Sequence, residues 1–102
     1  MTEAQIRSMS GTPDDIQAVA EMIGMQPHMI PDLLWNPFLN ISDCWQVIQH
    51  MEKKEWYWRL SSNCECLFIQ DKQFPLRVIR ERGNKSIMVA VCQAAMLAMM
   101  EE

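Results

Sequence analysis

Cys64 and Cys66, with only Glu65 between them, are the first residues in this sequence that could do chemistry together. Residues two apart on a strand share a face, so both thiols would point the same way. Joined by Cys44 or His50, they could hold a zinc ion. The spacing argues against it, because a zinc knuckle leaves roughly two to four residues between its cysteines. Small apolar packing residues, kept reduced, are the better expectation for all four cysteines (Cys44, Cys64, Cys66 and Cys92). No metal and no cofactor are expected. Catalytic patterns are missing as well. There is no glycine-rich phosphate loop, no nucleophile elbow and no His-Glu pair at zinc-protease spacing, while His28 and His50 stand singly. The chain reads as a non-enzyme.

Aromatic and cationic residues carry more. Trp56 and Trp58 share one face of a predicted strand, and Tyr57 and Arg59 share the other. Sheet cores take tryptophan readily, which favours Trp56 and Trp58 inward. Tyr57 and Arg59 would then face out, where Arg59 could meet a phosphate or a carboxylate. Turned outward instead, the tryptophans would form a stacking platform or a partner anchor. Trp35, followed by Asn36-Pro37, falls at a turn and is expected to be partly exposed, with a lid over the core as the alternative. Arg77, Arg80 and Arg82, near Lys72 and Lys85, concentrate positive charge in an acidic chain. They suit an anion or an acidic protein surface, or equally a solvated sheet edge guarded against aggregation. The candidate partner- or ligand-binding residues are therefore Trp35, Asn36, Tyr57, Arg59, Arg77, Arg80 and Arg82.

The elements that must position these residues follow from punctuation and periodicity. Thr12-Pro13-Asp14-Asp15 reads as a helix start, and Ile16, Val19, Ala20 and Ile23 recur at helical spacing up to Gly24. This predicts a helix over about 13–23, after a flexible N-terminus at 1–11. Pro27, Pro31 and Pro37 make residues 25–40 an irregular connector, packed down by its apolar content, with a turn of helix possible over Pro31–Trp35. Ser42 caps a second helix over about 43–54, with Trp45, Ile48 and Met51, and Cys44 and Val47 beside them, on its apolar face. Three strands follow at Trp56–Leu60, Cys64–Ile69 and Leu76–Glu81, separated by Ser61-Ser62-Asn63 and Asp71-Lys72-Gln73. Ser86 caps a last helix over Ile87–Met100, in which Gln93 is the one strongly polar side chain. A helix apolar nearly all round is buried on several sides or forms an oligomer seam, and Met88, Met96, Met99 and Met100 suit a homo-oligomer contact there. This order predicts one α+β domain over 1–102, with a small antiparallel sheet of about three strands flanked by helices.

A chain of 102 residues, about half of them apolar, can bury a core without staples. No apolar run reaches the roughly 18–20 residues that cross a bilayer. Met1–Ser10 has no basic region leading into an apolar stretch, so the expectation is a cytoplasmic protein without a secretory leader. The net charge of −4 disfavours direct nucleic-acid binding.

Three blocks then carry a family resemblance. The first runs from Asp15-Ile16 through Val19-Ala20-Glu21 to Ile23-Gly24-Met25. The second is Asn40-Ile41-Ser42-Asp43-Cys44-Trp45-Gln46-Val47-Ile48, with Met51 and Glu52 after it. The third is Ile87 through Ala90, Cys92, Ala94-Ala95 and Leu97-Ala98. In this order and spacing the chain resembles the phage ABA sandwich domain family of small phage and prophage proteins. It departs from that pattern in its proline-rich connector and in the Arg77-Arg80-Arg82 segment. The resemblance implies a helix–sheet–helix sandwich and a phage origin, and no enzymatic activity. It also implies a setting, the cytoplasm of an infected bacterium. The expected function is non-catalytic binding and inhibition of a host antiviral defence component, in the manner of an anti-CRISPR protein. Two alternatives stay open: an oligomeric sponge for a nucleotide signal, with a pocket built from Trp35, Arg59 and Arg77, and an accessory phage protein without a defence role.

Overall fold

The computed structural model describes residues 1–25, 35–72, 75–82 and 86–100. It contains α1 (Glu3–Arg7), α2 (Pro13–Met22), α3 (Ile41–Lys53), β1 (Tyr57–Ser61), β2 (Glu65–Gln70), β3 (Arg77–Arg82) and α4 (Ile87–Met100). The α+β class and the antiparallel β1-β2-β3 meander match the sequence expectation.

The first eleven residues, expected to be loose, are held. Thr2 and Gln5 form a reciprocal capping box that starts α1. Ile6 and Met9 then drop into the core. Gln93 of α4 secures the segment, its Nε2 donating to the carbonyls of Arg7 (3.0 Å) and Met9 (3.3 Å). One polar side chain in an apolar helix is thus used up holding the start of the chain.

Thr12 caps α2, and Asp15 reaches back to accept from the backbone N–H groups of Ser10 (2.9 Å), Gly11 (3.1 Å) and Thr12 (3.1 Å). Burial alone would raise the Asp15 carboxyl. The three N–H groups and the Thr12 hydroxyl outweigh it and hold the carboxyl below its ordinary value. α2 ends in a Schellman turn: Gly24 N–H reaches Glu21 O (3.1 Å) and Met25 N–H reaches Ala20 O (3.0 Å). Gly24 takes the required left-handed backbone at φ +86°.

α3 starts at Ile41, two residues before the predicted 43, because Asn40 rather than Ser42 is the cap and accepts from Ser42 and Asp43 N–H. It ends in the same Schellman pattern, with Glu55 N–H on Glu52 O (2.9 Å) and Trp56 N–H on Met51 O (3.0 Å). Here Glu55 itself adopts φ +66°. Its strain is tolerated because Met51 and Trp56, on either side of the turn, are both buried. The β1–β2 turn repeats the device. Cys64 N–H bonds Ser61 O (3.1 Å) and Cys64 sits at φ +63°, the left-handed third position of a three-residue hairpin loop. Cys64 therefore lies in a turn, not on the strand with Cys66 as predicted.

α4 is the centre of the fold. It packs on β2 and β3 on one side and on α1, α2 and α3 on the others. Ala90 through Ala95, Leu97 and Ala98 are all buried. Small residues let its neighbours approach closely, and its apolar circumference is largely taken up within the chain. Met88, Met96 and Met99 nevertheless keep part of their surface open, and Met100 is 52% exposed. The other helices in contact with the sheet reach it from the same side. α1, α2 and α3 all pack on α4, α3 also meets β1, and Arg7 of α1 reaches Glu81 of β3.

In the connector, Trp35, Pro37 and Phe38 are buried, in keeping with the expected packing-down. The turn of helix expected over Pro31–Trp35 lies outside the described residues apart from Trp35, as do Gln73 and the Gly83-Asn84 break.

Candidate functional site

Antiparallel register divides the sheet into two faces. Inward lie Trp58 and Leu60 of β1, Cys66, Phe68 and Gln70 of β2, and Arg77, Ile79 and Glu81 of β3. Phe68 and Cys66 are fully buried, and Gln70 donates to the Lys54 carbonyl at 3.0 Å. Trp56, just before β1, is also buried, so the inward option for Trp56 and Trp58 is the observed one.

The outer face is a small grid in three rows: Tyr57–Ile69–Val78, Arg59–Leu67–Arg80 and Ser61–Glu65–Arg82. Tyr57 is 62% exposed and Val78 51%, and among the described residues no helix packs on them. Leu67 and Ile69 form a half-buried apolar centre. Three arginines surround it against one carboxylate, Glu65, which stands 3.8 Å from Arg80. A chain of net charge −4 thus presents a locally cationic, partly apolar sheet surface. Chemically it can bury apolar side chains and pair with carboxylates at once.

Four of the seven candidates, Tyr57, Arg59, Arg80 and Arg82, meet on this face. The other three serve the fold. Trp35, expected at the surface, is 6% exposed, and its Nε1 donates to Gln46 Oε1 at 2.8 Å. Asn36 shapes the turn into α3: its N–H donates to Asp43 Oδ2 (2.8 Å) and its Oδ1 accepts from Phe38 N–H (2.9 Å). Arg77 lies on the inner face, its guanidinium 4.9 Å from the centre of the Trp56 ring. Within one chain Arg59 on the outer face and Arg77 on the inner face therefore stand on opposite sides of the sheet.

Leu67, Ile69 and Val78 were not among the candidates. Their signal was present as period-two alternation with Tyr57, Arg59 and Arg80. Trp45 is a second omission. Expected on the buried stripe of α3, it is 40% exposed, because the stripe runs through Cys44, Val47, Ile48 and Met51 instead. Its ring stands edge-on to Trp58, centroids 5.4 Å apart. The Trp58 indole in turn donates to Glu52 at 3.1 Å.

The cysteines stay with the core. Cys92 hydrogen-bonds Cys44, which lowers the Cys44 thiol and, with burial, raises that of Cys92. Burial, then the neighbouring Cys44, pushes the Cys66 thiol up to about 12. Among the described residues no group of three or more His, Cys, Asp or Glu side chains is arranged to hold a metal ion.

No family model matches the chain, and no match was found among the curated proteins or the solved structures.

Proposed function

We propose that this chain is a non-catalytic binding protein that docks on another protein through the outer face of its sheet. The observation that carries the reading is the juxtaposition of exposed Tyr57 and Val78 with Arg59, Arg80 and Arg82 on a face no described helix covers. Aromatic and arginine side chains around an apolar centre are the composition of interface hot spots. Their charge selects an acidic partner surface. The family resemblance supplies the biological setting: a phage product that blocks a host antiviral defence component in the bacterial cytoplasm.

The test is native mass spectrometry of the tagged protein recovered from a defence-proficient bacterial lysate, beside a Tyr57→Ala/Arg80→Glu variant. A protein that travels with the wild type and is lost from an equally well-folded variant is the expected result. A partner retained by the variant would place the contact elsewhere. A wild type recovered without any partner would count against the reading.

A further inference from the structure

The two edges of the sheet are protected very differently. β3 carries Arg77, Arg80, Glu81 and Arg82 in six residues and follows Pro75. Arg7 of α1 reaches it at Glu81 (2.9 Å). Charge, a nearby proline and a covering helix are the usual means of keeping an edge from pairing. β1 has neither that run of charge nor the proline, and the helix that touches it, α3, meets it through Trp58 on the inner face rather than along the edge. Its sequence is Tyr-Trp-Arg-Leu-Ser, with one charge and no proline or lysine. Among the described residues nothing pairs with its outer edge. Alternate residues of such a strand point unpaired N–H and C=O groups outward, and the chemistry that satisfies them is another extended backbone.

We propose that this backbone is β1 of a second copy, paired antiparallel about a two-fold axis at Trp58, so that two three-stranded sheets become one. The side chains select this register. Centred on Trp58, the pairing sets Tyr57 opposite the partner's Arg59 on the outer face, and Arg59 opposite the partner's Tyr57. Each is a cation over an aromatic ring. Centring on Arg59 would oppose two arginines, which is unfavourable across a strand pair. On the inner face, Trp58 meets the partner's Trp58 beside the exposed flank of Trp45, burying aromatic surface that one copy leaves in water. The axis stands perpendicular to the sheet, so both sets of helices fall on one side and both outer faces on the other. The association is independent of the partner reading above, and it would give the outer face twice its breadth.

Sedimentation of the full chain over a wide concentration series tests this. The wild type is expected to pass reversibly from monomer to dimer. Tyr57→Lys, at an exposed position, opposes two cations twice over across the axis and should raise the dissociation constant at least about tenfold. The double variant Tyr57→Lys/Arg59→Glu sets opposite charges across the same register and should recover the dimer, with thermal melts confirming that each variant folds. A wild type that stays monomeric throughout overturns the proposal. So does a dimer indifferent to Tyr57→Lys, or a double variant that fails to recover.

Discussion

The inner and outer faces of this three-stranded sheet are made by the same three alternating stretches of chain, yet they answer to different demands. Phe68 and Cys66 on the inner face have no exposed surface, and even the polar Gln70 is closed off and bonded to a backbone carbonyl. On the outer face Tyr57 and Val78 keep more than half their surface in water, with arginines around them. Inner residues are chosen by volume and outer ones by what they can meet. On the docking reading proposed above, the difference separates stability from recognition residue by residue.

That separation can be broken most directly at Phe68. Phe68→Ala leaves a cavity beneath α4 and should cost about 3–5 kcal/mol in denaturant unfolding. A cost near that of a surface change would mean the inner face is not the closed side. Behind it, Gln93→Leu removes the donor to the Arg7 and Met9 carbonyls and should cost about 1–3 kcal/mol. Amide hydrogen exchange should then show α1 opening well before the sheet.

Asp15 sharpens the comparison from the helical side, through pH. Its carboxyl is lowered on folding from the ordinary 3.8, so the folded chain holds its proton less tightly than the unfolded chain. The stability it contributes is complete above that ordinary value and is lost as pH falls through the lower folded one. Asp15→Asn should lose about 1 kcal/mol at neutral pH, and denaturant midpoints across an acid series should fall less steeply than in the wild type. A smaller effect of opposite sign is expected at Cys64. Cys64→Gly relieves a left-handed side chain and should raise stability by about 0.5–1 kcal/mol by thermal melting. The smallest effect belongs to the outer face. Leu67→Thr should shift stability by less than about 0.5 kcal/mol while weakening partner capture.

Much of this architecture was legible because it rests on local chemistry. Thr12-Pro13 and the apolar spacing after it place α2. The aromatic and aliphatic runs from Trp56 onward place three strands, each observed one residue later than expected, the first two because the left-handed residues Glu55 and Cys64 belong to turns. The α1 helix was illegible for a reason of distance. It is held by Gln93, 86 residues away from Arg7, and no short window of sequence contains that bond. Trp35, Asn36 and Arg77 resembled binding residues because a tryptophan or an arginine reads the same whether it serves a core or a ligand. Within the fold their partners are Gln46, Asp43 and Trp56. Trp45 escaped because the buried stripe of α3 admits two neighbouring phases, and packing on α4 selects the one that leaves it outside.

The central place of α4 also bears on how the protein is made. Every element that α4 covers precedes it in the chain. During synthesis the sheet and the first three helices leave the ribosome with their apolar faces open, and nothing can close them until Ile87–Met100 has followed. A chain cut before Ile87 therefore exposes the apolar faces that α4 covers and is expected to be an adhesive fragment rather than a smaller version of the fold.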